Sequence, residues 1–231
     1  PEHFRAFKSR GWFPEDRYGG PDSHLWDEKL LEHWIAMELL ELPAWQSKDV
    51  YVDVAACRSP WAKLLREQLG ISAFAIDMDA VGANYVDLPY YRSENATRSS
   101  FEDGSVRGAS LQCAFEMFSG QDDRLLRPEL ARILTRRGKV VILPLSMHTH
   151  YCAYATPDFY GKGYADPGAT EYVRTDCHGV PSSRKYDPAH LVNRVLEPAR
   201  EIGLSYRLLA LRNKQALGRN IYCHFILELE K

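Results

Sequence analysis

The alternation of short β-branched runs with helical segments constrains the fold of this chain more than any other feature. DVYVDVA at 49–55 and SAFAID at 72–77 each predict a buried strand. Between them, SPWAKLLREQLG predicts a helix with Ser59 as its N-cap, Pro60 at its first position and Gly70 beyond its end. Strands that alternate with helices favour a mainly parallel sheet with helices on both faces.

The second half of the chain continues the alternation and ends in an unusual way. A strand is predicted at 108–118, running into a loop, and the helix DDRLLRPELARILTRRG after it is closed by Gly138. KVVILPLS at 139–146 predicts a further buried strand, and DPAHLVNRVLEPAREIG predicts a helix capped by Asp187. Two strand-like runs, LSYRLLALRN and NIYCHFILELEK, then predict a closing antiparallel hairpin.

The N-terminal part differs in composition from the rest. Residues 1–23 are rich in glycine, proline and aromatic residues, which predicts an irregular arm. DSHLWDEKLLEHWIAMELLEL follows and predicts an amphipathic helix, with Asp22 or Ser23 as its N-cap. We therefore divide the chain into an arm with its helix at 1–48 and a domain at 49–231.

A long stretch at 147–186 carries many Gly, Tyr, His and Asp residues and shows no clear period. Loops of this length in compact domains are usually functional or disordered. The many aromatic residues argue against disorder. We therefore predict that this stretch is an insertion that forms a lid over a substrate.

Composition excludes several classes of protein. The 231 residues, 45% of them hydrophobic, suit one α/β domain, and a net charge of −2 argues against a nucleic-acid partner. The sequence has neither an apolar run of about 20 residues nor a signal-peptide core, so no transmembrane segment or secretion is predicted. Five scattered cysteines without a CxxC pair predict reduced thiols and a cytoplasmic location.

Polar residues follow the predicted strands where a parallel sheet binds its ligands. Asp53 and the AACRS turn follow the first strand, and Asp77 ends the second strand 24 residues later. A carboxylate at that offset can accept two hydrogen bonds from a ribose diol, although Asp77 or nearby Asp79 could equally be a solvated surface group. Asn95, within ENATRSSFEDGS, could read an adenine edge through its amide or could belong to a turn.

Together these segments resemble class I S-adenosylmethionine (SAM)-dependent methyltransferases. ENATRSSFEDGS resembles that superfamily's acidic-Ala and Phe-x-Asp-Gly-Ser stretch, and FEMF stands where many members have Leu-Glu-His. RPELARILTRRGKVVIL resembles the helix and Gly-Gly strand, and the closing hairpin resembles the reversed seventh strand. The resemblance covers 49–146 well and 187–231 in outline.

The resemblance implies a Rossmann-like, seven-stranded, mainly parallel sheet with an antiparallel last strand, and SAM as the cofactor. SSRKYDPAHL and DEKLLEHWIAMELL also resemble methyltransferases encoded with bacterial surface-polysaccharide genes. That second likeness implies O-methylation of a sugar in a surface glycan or its precursor. The cofactor-binding residues implied are Asp53, Ala55, Ala56, Ser59, Asp77, Asn95 and Ala96.

The chain departs from the superfamily pattern at three places. AACRS replaces the glycine-rich loop, Asn95 replaces an aspartate, and Met117 stands where many members have histidine. Alanine fits such a loop where φ is negative, so we expect a slightly wider cofactor pocket. Two other functions stay open: a catalytically inactive scaffold or partner subunit, and a methyltransferase for a small secondary metabolite. The absence of GxGxxG argues against a nicotinamide-dependent oxidoreductase.

The segment HTHYC places His148, His150 and Cys152 at alternating positions. Alternating residues of a strand share a face, and imidazole with thiolate suits zinc, but the spacing matches no closed zinc pattern, so no metal is predicted. We predict instead that His148 or His150 is the general base; the alternative is that both only satisfy backbone groups. Glu116 is predicted to lie near the transferred methyl group.

Three residues are predicted to bind the acceptor. Arg184 and Tyr186, with Lys185 between them, could hold an anionic group, although the same run could be solvated. Tyr151 offers an aromatic face on which a sugar ring could stack. The partners expected are therefore a sugar or glycan-precursor substrate and a second copy of the chain in a homodimer.

Overall fold

The computed structural model describes residues 1–78 and 87–231; the segment 79–86, which contains Asp79, lies outside the described residues. The described residues form a seven-stranded sheet and a separate three-stranded sheet. The strands are β1 (Val50–Val54), β2 (Ser72–Asp77), β3 (Tyr91–Ser93), β4 (Val106–Gln112), β5 (Leu134–Leu143), β6 (Cys152–Ala155), β7 (Thr170–Val173), β8 (Ser183–Lys185), β9 (Ser205–Ala210) and β10 (Phe225–Glu230).

The α-helices flank the seven-stranded sheet. They are α1 (Glu2–Lys8), α2 (Trp26–Leu39), α3 (Trp61–Leu69), α4 (Asp122–Ile133), α5 (Pro188–Leu191) and α6 (Glu197–Glu201). Among residues 1–78 and 87–231, no helix has the length and apolarity needed to cross a membrane.

The large sheet has the strand order β3-β2-β1-β4-β5-β10-β9. Strand β10 runs antiparallel to both of its neighbours, and the other pairs are parallel. This confirms the predicted Rossmann-like sheet with a reversed last strand. The strand order changes direction between β1 and β4, so the crevice at their carboxyl ends is where such a sheet binds ligands.

Side chains alternate between two hydrophobic cores, one on each face of the large sheet. In β5, Val141 and Leu143 join a core with α1, α2 and α3, whereas Val140 and Ile142 join a core with α4, α5 and α6. This alternation follows from the period of two in a strand. Both faces are therefore covered, as the near-continuous apolar run of the strand predicts.

Helix α2 differs from its prediction in two ways. It begins at Trp26, and the Ser23 hydroxyl accepts the Leu25 N–H at 3.2 Å, so neither Asp22 nor Ser23 is its N-cap. Its burial also extends beyond its apolar side chains, since the side chains of Glu32 and His33 are only 1% and 2% exposed. The amphipathic interpretation was wrong because Glu32 and His33 line a cavity, and Glu28 accepts the N–H groups of Tyr222 and Cys223 inside the protein.

The boundary between α4 and β5 also differs from its prediction. The helix ends at Ile133 rather than at Gly138, and β5 begins at once at Leu134. Arg137 takes a φ of 63°, and a Cβ at Gly138 would lie 2.8 Å from the Thr135 carbonyl oxygen. Gly138 therefore permits a close backbone approach at the start of the strand instead of closing the helix.

The stretch 147–186 contains a three-stranded sheet, which its sequence did not predict. Strand β6 pairs in parallel with β7 and antiparallel with β8. Each strand has only three or four residues, which is too short for a period of two to stand out. Similarly, the short β3 lies in a segment that the sequence indicated as polar and turn-rich.

The last helical segment begins as predicted and then changes its winding. The Asp187 side chain caps α5 by accepting the His190 N–H at 2.7 Å. A π turn at Val192–Leu196 separates α5 from α6. Pro198 in α6 has no N–H to donate to the preceding turn, and a π turn accommodates this loss.

Candidate functional site

The loop after β1 adopts the backbone conformation that glycine favours, without containing glycine. Ala55 has a φ of 54° and Cys57 a φ of 49°, both in the left-handed region. The Ala56 N–H donates to the Ile76 carbonyl at 3.0 Å and holds the loop against β2. The expectation that alanine sits here at negative φ was therefore wrong for Ala55, whereas Ala56 is not among the residues with positive φ. Each left-handed residue costs roughly 1–2 kcal/mol, and the surrounding contacts must offset that cost.

Asp77 holds the same loop from the end of β2. Its Oδ2 accepts the Cys57 N–H at 2.7 Å, so this carboxylate fixes the loop directly. Ser59 precedes Pro60, the residue at the helix N-cap, and its hydroxyl accepts the Trp61 N–H at 3.2 Å. Ser59 therefore stabilises the start of α3 from the residue before the N-cap, whereas the prediction made Ser59 the N-cap itself.

A cavity of about 390 Å³ lies beside this loop, between the carboxyl ends of β1 and β4. The N-terminal arm, α2, the loop and the end of β4 all contribute to its wall. The lining residues are Asp16, Arg17, Tyr18, Lys29, Glu32, His33, Asp53, Ala55, Ala56, Cys57, Arg58, Ser59, Gln112 and Cys113. The structure thus brings together four predicted cofactor residues, Asp53, Ala55, Ala56 and Ser59, in one wall.

Asp53 is the most unusual group in this wall. It is 1% exposed, and its Oδ2 has no hydrogen-bond partner among the described residues. Burial raises the pKa of Asp53 to about 7, a hydrogen bond with Ser59 opposes that rise, and the nearby charge of Asp77 adds to it. A buried carboxylate oxygen without a partner is the group that a bound cation would satisfy.

The N-terminal arm closes the cavity, a role its sequence did not reveal. The Tyr18 hydroxyl lies 2.7 Å from His33 Nε2, and the His33 ring stacks on Trp61 with centroids 4.7 Å apart. Phe13 also stacks on Trp61, at 5.9 Å. Burial lowers the pKa of His33 well below its usual value, so this imidazole is neutral. The many aromatics of the arm were its only sequence signal.

A second cavity, of about 520 Å³, opens next to the first. It lies between the ends of β4 and β5, the three-stranded sheet and the segment before β10. Its lining residues are His24, Leu25, Cys113, Glu116, Pro144, Leu145, Ser146, Met147, His148, Tyr154, Arg174, Asp176, Ser183, Lys185, Tyr222, His224 and Phe225. Cys113 lines both cavities, so the two spaces meet at the end of β4.

Glu116 lies beside this junction. It is 8% exposed, and its Oε1 lies 3.5 Å from the Cys113 thiol. Its Oε2 is buried and has no partner within the part of the chain that the structure describes. Glu116 therefore lines the second cavity next to Cys113, the residue that both cavities share, and its predicted place near the transferred methyl group stays a prediction.

A second set of polar groups at the junction comes from α2 and from the end of the chain. Lys29 Nζ lies 3.1 Å from both carboxylate oxygens of Glu32, and the Tyr222 hydroxyl donates to Glu32 Oε1 at 3.4 Å. That hydroxyl also lies 3.7 Å from the Cys113 thiol. Burial raises the pKa of Glu32, although Lys29 opposes the rise. Sequence reasoning missed this set because α2 was interpreted as a surface helix.

The two predicted histidine bases have different surroundings. His148 lines the second cavity, and its backbone N–H donates to the Tyr186 carbonyl at 2.8 Å. His150 is not among the lining residues of either described cavity, and its Nε2 lies 2.8 Å from the Tyr172 hydroxyl. Their rings meet edge to face with centroids 4.5 Å apart.

The predicted acceptor residues lie in a buried ion-pair network instead of in a cavity. Arg184 is 1% exposed; it donates to Asp166 and lies 3.0 Å from the Asp123 carboxylate. The Tyr186 hydroxyl donates to Asp123 at 2.7 Å, and the Tyr151 hydroxyl donates to Asp166 at 2.6 Å. The prediction that Arg184, Tyr186 and Tyr151 face the acceptor was therefore wrong.

Strand alternation explains which side chains of β8 reach the second cavity. Ser183 and Lys185 line the cavity, while Arg184 between them points into the protein. Lys185 Nζ donates to the Ser146 hydroxyl at 3.2 Å. The cationic residue of this run that can meet an acceptor is thus Lys185.

The residues predicted to meet the adenine lie apart from both cavities. Asn95 Oδ1 accepts the Thr97 N–H and the Thr97 hydroxyl, each at 2.8 Å, which is a turn of the kind that Asn favours. Ala96 is 9% exposed and joins the core shared with α4. Neither residue lines either cavity as the described residues outline them.

Comparison with known proteins gives structural likenesses only. No protein-family model and no curated protein matches the sequence. The fold resembles 1,6-didemethyltoxoflavin N1-methyltransferase of Burkholderia thailandensis, solved with 1,6-didemethyltoxoflavin and S-adenosylhomocysteine (SAH). The TM-score is 0.59 at 12% identity, covering 100% of this chain and 90% of that chain.

Two further solved structures show the same likeness. A SAM-dependent methyltransferase of Mesorhizobium loti gives a TM-score of 0.54 at 14% identity, covering 87% of this chain and 98% of that chain. Geranyl diphosphate C-methyltransferase of Streptomyces coelicolor was solved with Mg²⁺, geranyl diphosphate and SAH. It gives a TM-score of 0.52 at 14% identity, covering 100% of this chain and 98% of that chain. The chain therefore has the class I SAM-dependent methyltransferase fold, which confirms the fold that the sequence resemblance implied.

Proposed function

We propose that this chain is a SAM-dependent methyltransferase that binds its cofactor in the first cavity and its acceptor in the second. The observation that carries the proposal is the placement of Asp53. Its unpartnered carboxylate oxygen lies in the wall of a cavity at the switch point of a methyltransferase fold. The meeting of both cavities at Cys113 supports a reaction between two ligands held side by side.

The residues of the first cavity fit the methionine half of SAM. An α-ammonium group is a cation of the size and charge that would satisfy Asp53 Oδ2. Ser59 and the loop Ala55–Cys57 would lie along the same half, and Asp77 stays the residue predicted to hold the ribose. When bound, SAM supplies a methyl group whose carbon is the electrophile, because it is attached to a positively charged sulfur.

The second cavity suits a polar acceptor that carries a hydroxyl group. Lys185 offers a cation, Tyr154 and Tyr222 offer aromatic edges, and His24 and His224 offer further hydrogen-bonding groups. This lining supports a sugar of a surface glycan, or a glycan precursor, as the acceptor. A small secondary metabolite with a hydroxyl group is the alternative acceptor for the same lining.

An acceptor hydroxyl must lose its proton as it is methylated. Glu116 and His148 both lie in the wall of the second cavity. We assign Glu116 as the general base that accepts this proton. Its buried Oε2 has no partner among the described residues, and Glu116 lies beside the junction with the first cavity.

Titration calorimetry with SAH tests the proposal. We expect the wild-type chain to bind SAH, and we expect Asp53→Asn to weaken binding by at least about 30-fold, because the ammonium then loses its buried counter-charge. Asp77→Ala is a less specific variant because it also releases the loop at Cys57.

Asp103→Asn is the matched control, since the Asp103 side chain is 82% exposed and lies against Arg132, away from both cavities. It should bind SAH as the wild type does. Absence of SAH binding by the wild type would refute the proposal. Labelled methyl transfer from SAM to sugar phosphates and nucleotide sugars, compared with phenolic acceptors, then separates the two acceptor classes.

One observation favours a non-catalytic function as the second candidate. The Asp77 carboxylate, predicted to accept the ribose hydroxyls, already accepts the Cys57 N–H. A scaffold or partner subunit that keeps the fold without the cofactor is expected to bind neither SAM nor SAH. The same titration therefore distinguishes the two functions.

The expected homodimer and cytoplasmic location stay predictions. Strand β9 forms one edge of the large sheet, and Leu208 on it is 46% exposed. An exposed strand edge with an apolar side chain supports pairing with a second copy. Sedimentation equilibrium would show a dimer as twice the chain mass of 26.4 kDa.

A further inference from the structure

We propose that His148, His150 and Cys152 form a binding site for a zinc-class transition-metal ion beside the second cavity. One donor atom from each residue lies within 4.8 Å of the other two. Zinc holds nitrogen at about 2.0–2.1 Å and sulfur at about 2.3 Å, so its donors lie roughly 3.5 Å apart in a tetrahedron. Rotation of the partly exposed imidazoles can close the remaining gap of about 1 Å.

Backbone pairing supports the cluster at both of its ends. The three residues occupy alternating positions, and Cys152 opens β6 directly opposite Lys185 of β8. The His148 N–H is fixed by the Tyr186 carbonyl at 2.8 Å. Tyr186 is in turn held by the Asp123 carboxylate in the buried network. Backbone pairing therefore holds His148 and Cys152, whereas His150 lies outside the strands and is held by the contact of its side chain with Tyr172.

Two hydroxyl groups contact the histidines of the cluster. The Tyr172 hydroxyl lies 2.8 Å from His150 Nε2 and orients the ring as outer-shell partners do. The Thr149 hydroxyl lies 3.3 Å from Nδ1 of both His148 and His150, so a metal bound at either Nδ1 would displace this contact. Cys152 is fully buried, so an ion would have to reach its sulfur from the side of the two partly exposed histidines.

Three protein donors leave a fourth position open, as in catalytic zinc sites. Because His148 lines the second cavity, an ion bound to it would lie beside the space assigned to the acceptor. Only this consequence rests on the proposed function: the metal would hold the acceptor oxygen and ease loss of its proton to Glu116. The histidines are then ligands rather than bases.

Cobalt titration tests the site without SAM. Co²⁺ bound through a thiolate gives a near-ultraviolet charge-transfer band, which histidine ligands alone do not give. We expect the purified full chain to bind one Co²⁺ with this band and to exchange it for Zn²⁺. We expect Cys152→Ser to lose the band, whereas Cys223→Ser, at an equally buried cysteine outside the cluster, keeps it.

Two further variants keep the test valid if Cys152→Ser does not fold. His148→Ala and His150→Ala change partly exposed side chains, and each should weaken cobalt binding by more than the about 10- to 100-fold typical of outer-shell partners. Absence of the band in the wild type, or its persistence in folded Cys152→Ser, would overturn the proposal.

SAH titration keeps this inference separate from the proposed function. Cobalt binding without SAH binding would leave the metal site standing and refute the methyltransferase proposal. SAH binding without the cobalt band would refute the metal site and leave the methyltransferase proposal standing. Cys223→Ser should leave both titrations unchanged, since Cys223 lines neither described cavity.

Discussion

The left-handed backbone at Ala55 and Cys57 is the clearest feature at the scale of single residues. Glycine reaches this region without the clash between Cβ and the carbonyl oxygen that other residues meet. The chain keeps the loop conformation of a glycine-rich turn while it lacks the glycines. Hydrogen bonds from Ala56 to Ile76 and from Cys57 to Asp77 hold that conformation.

We predict that Ala55→Gly stabilises the protein. Relief of the left-handed strain outweighs the added flexibility of the unfolded chain, so the free energy of unfolding should rise by about 0.5–1 kcal/mol. Urea unfolding measures the change. Ala131→Gly within α4 is the matched control and should lower the same quantity by about 1 kcal/mol. Equal destabilisation by both variants would show that Ala55 carries no strain.

At the scale of secondary structure, the three-stranded sheet depends on one buried group of charges. Asp123 of α4 meets Arg184 of β8 at 3.0 Å and Arg194 of the π turn at 2.7 Å. Asp166, in the segment before β7, accepts from Arg184 and from Tyr151. The network therefore joins the small sheet to two helices of the main domain and positions the wall of the second cavity.

We predict that Arg184→Ala lowers the free energy of unfolding by about 3–5 kcal/mol, because two buried carboxylates lose their shared cation. For a chain of this size, the melting temperature should fall by roughly 10 °C. Lys185→Ala is the neighbouring control and should change stability by less than about 1 kcal/mol, since Lys185 lines a cavity. A small effect of Arg184→Ala, measured by calorimetry, would contradict the network's structural role.

At the scale of the whole molecule, the cofactor cavity is made from parts distant in sequence. The arm supplies Tyr18, and α2 supplies Glu32 and His33. Strand β1 supplies Asp53, and the loop after it supplies Ser59. Burial of Asp53 in this assembly links the proton uptake of one carboxyl group to the stability of the entire fold. The pKa of Asp53 rises from 3.8 to about 7 on folding.

We predict that this carboxyl group makes the protein less stable as pH rises. Between pH 3.8 and about 7, the folded chain holds a proton on Asp53 that the unfolded chain releases. Relative to Asp53→Asn, the wild type should therefore lose about 3 kcal/mol of unfolding free energy between pH 5 and pH 8, without SAH. Urea unfolding at both pH values measures the difference.

Asp103→Asn again serves as the control, because its exposed side chain should leave the wild-type pH dependence unchanged. Parallel pH profiles of the wild type and Asp53→Asn would mean that water reaches Asp53 in the folded protein. Bound SAH should reduce the pH dependence, because an ammonium group beside Asp53 lowers its pKa.

The sequence by itself determined the alternation of strands and helices, the closing antiparallel hairpin and the bounds of several elements. Local patterns carry this information, since a β-branched run, a proline at a helix start and a glycine after its end act within a few residues. β2 was predicted over the residues that it occupies, and Gly70 takes the left-handed conformation after α3. The position of Asp53 at a ligand-binding edge also followed from that pattern.

Only the tertiary structure decided which polar side chains face a cavity and which are neutralised inside the protein. Tyr222 and Glu32 are 190 residues apart in the sequence and form a hydrogen bond. Arg184 of β8 likewise meets Asp123 of α4, a separate element. No local period encodes such pairs, because burial and partners arise from packing between elements. The same physics separates Lys185, which lines a cavity, from Arg184, which is buried one residue away.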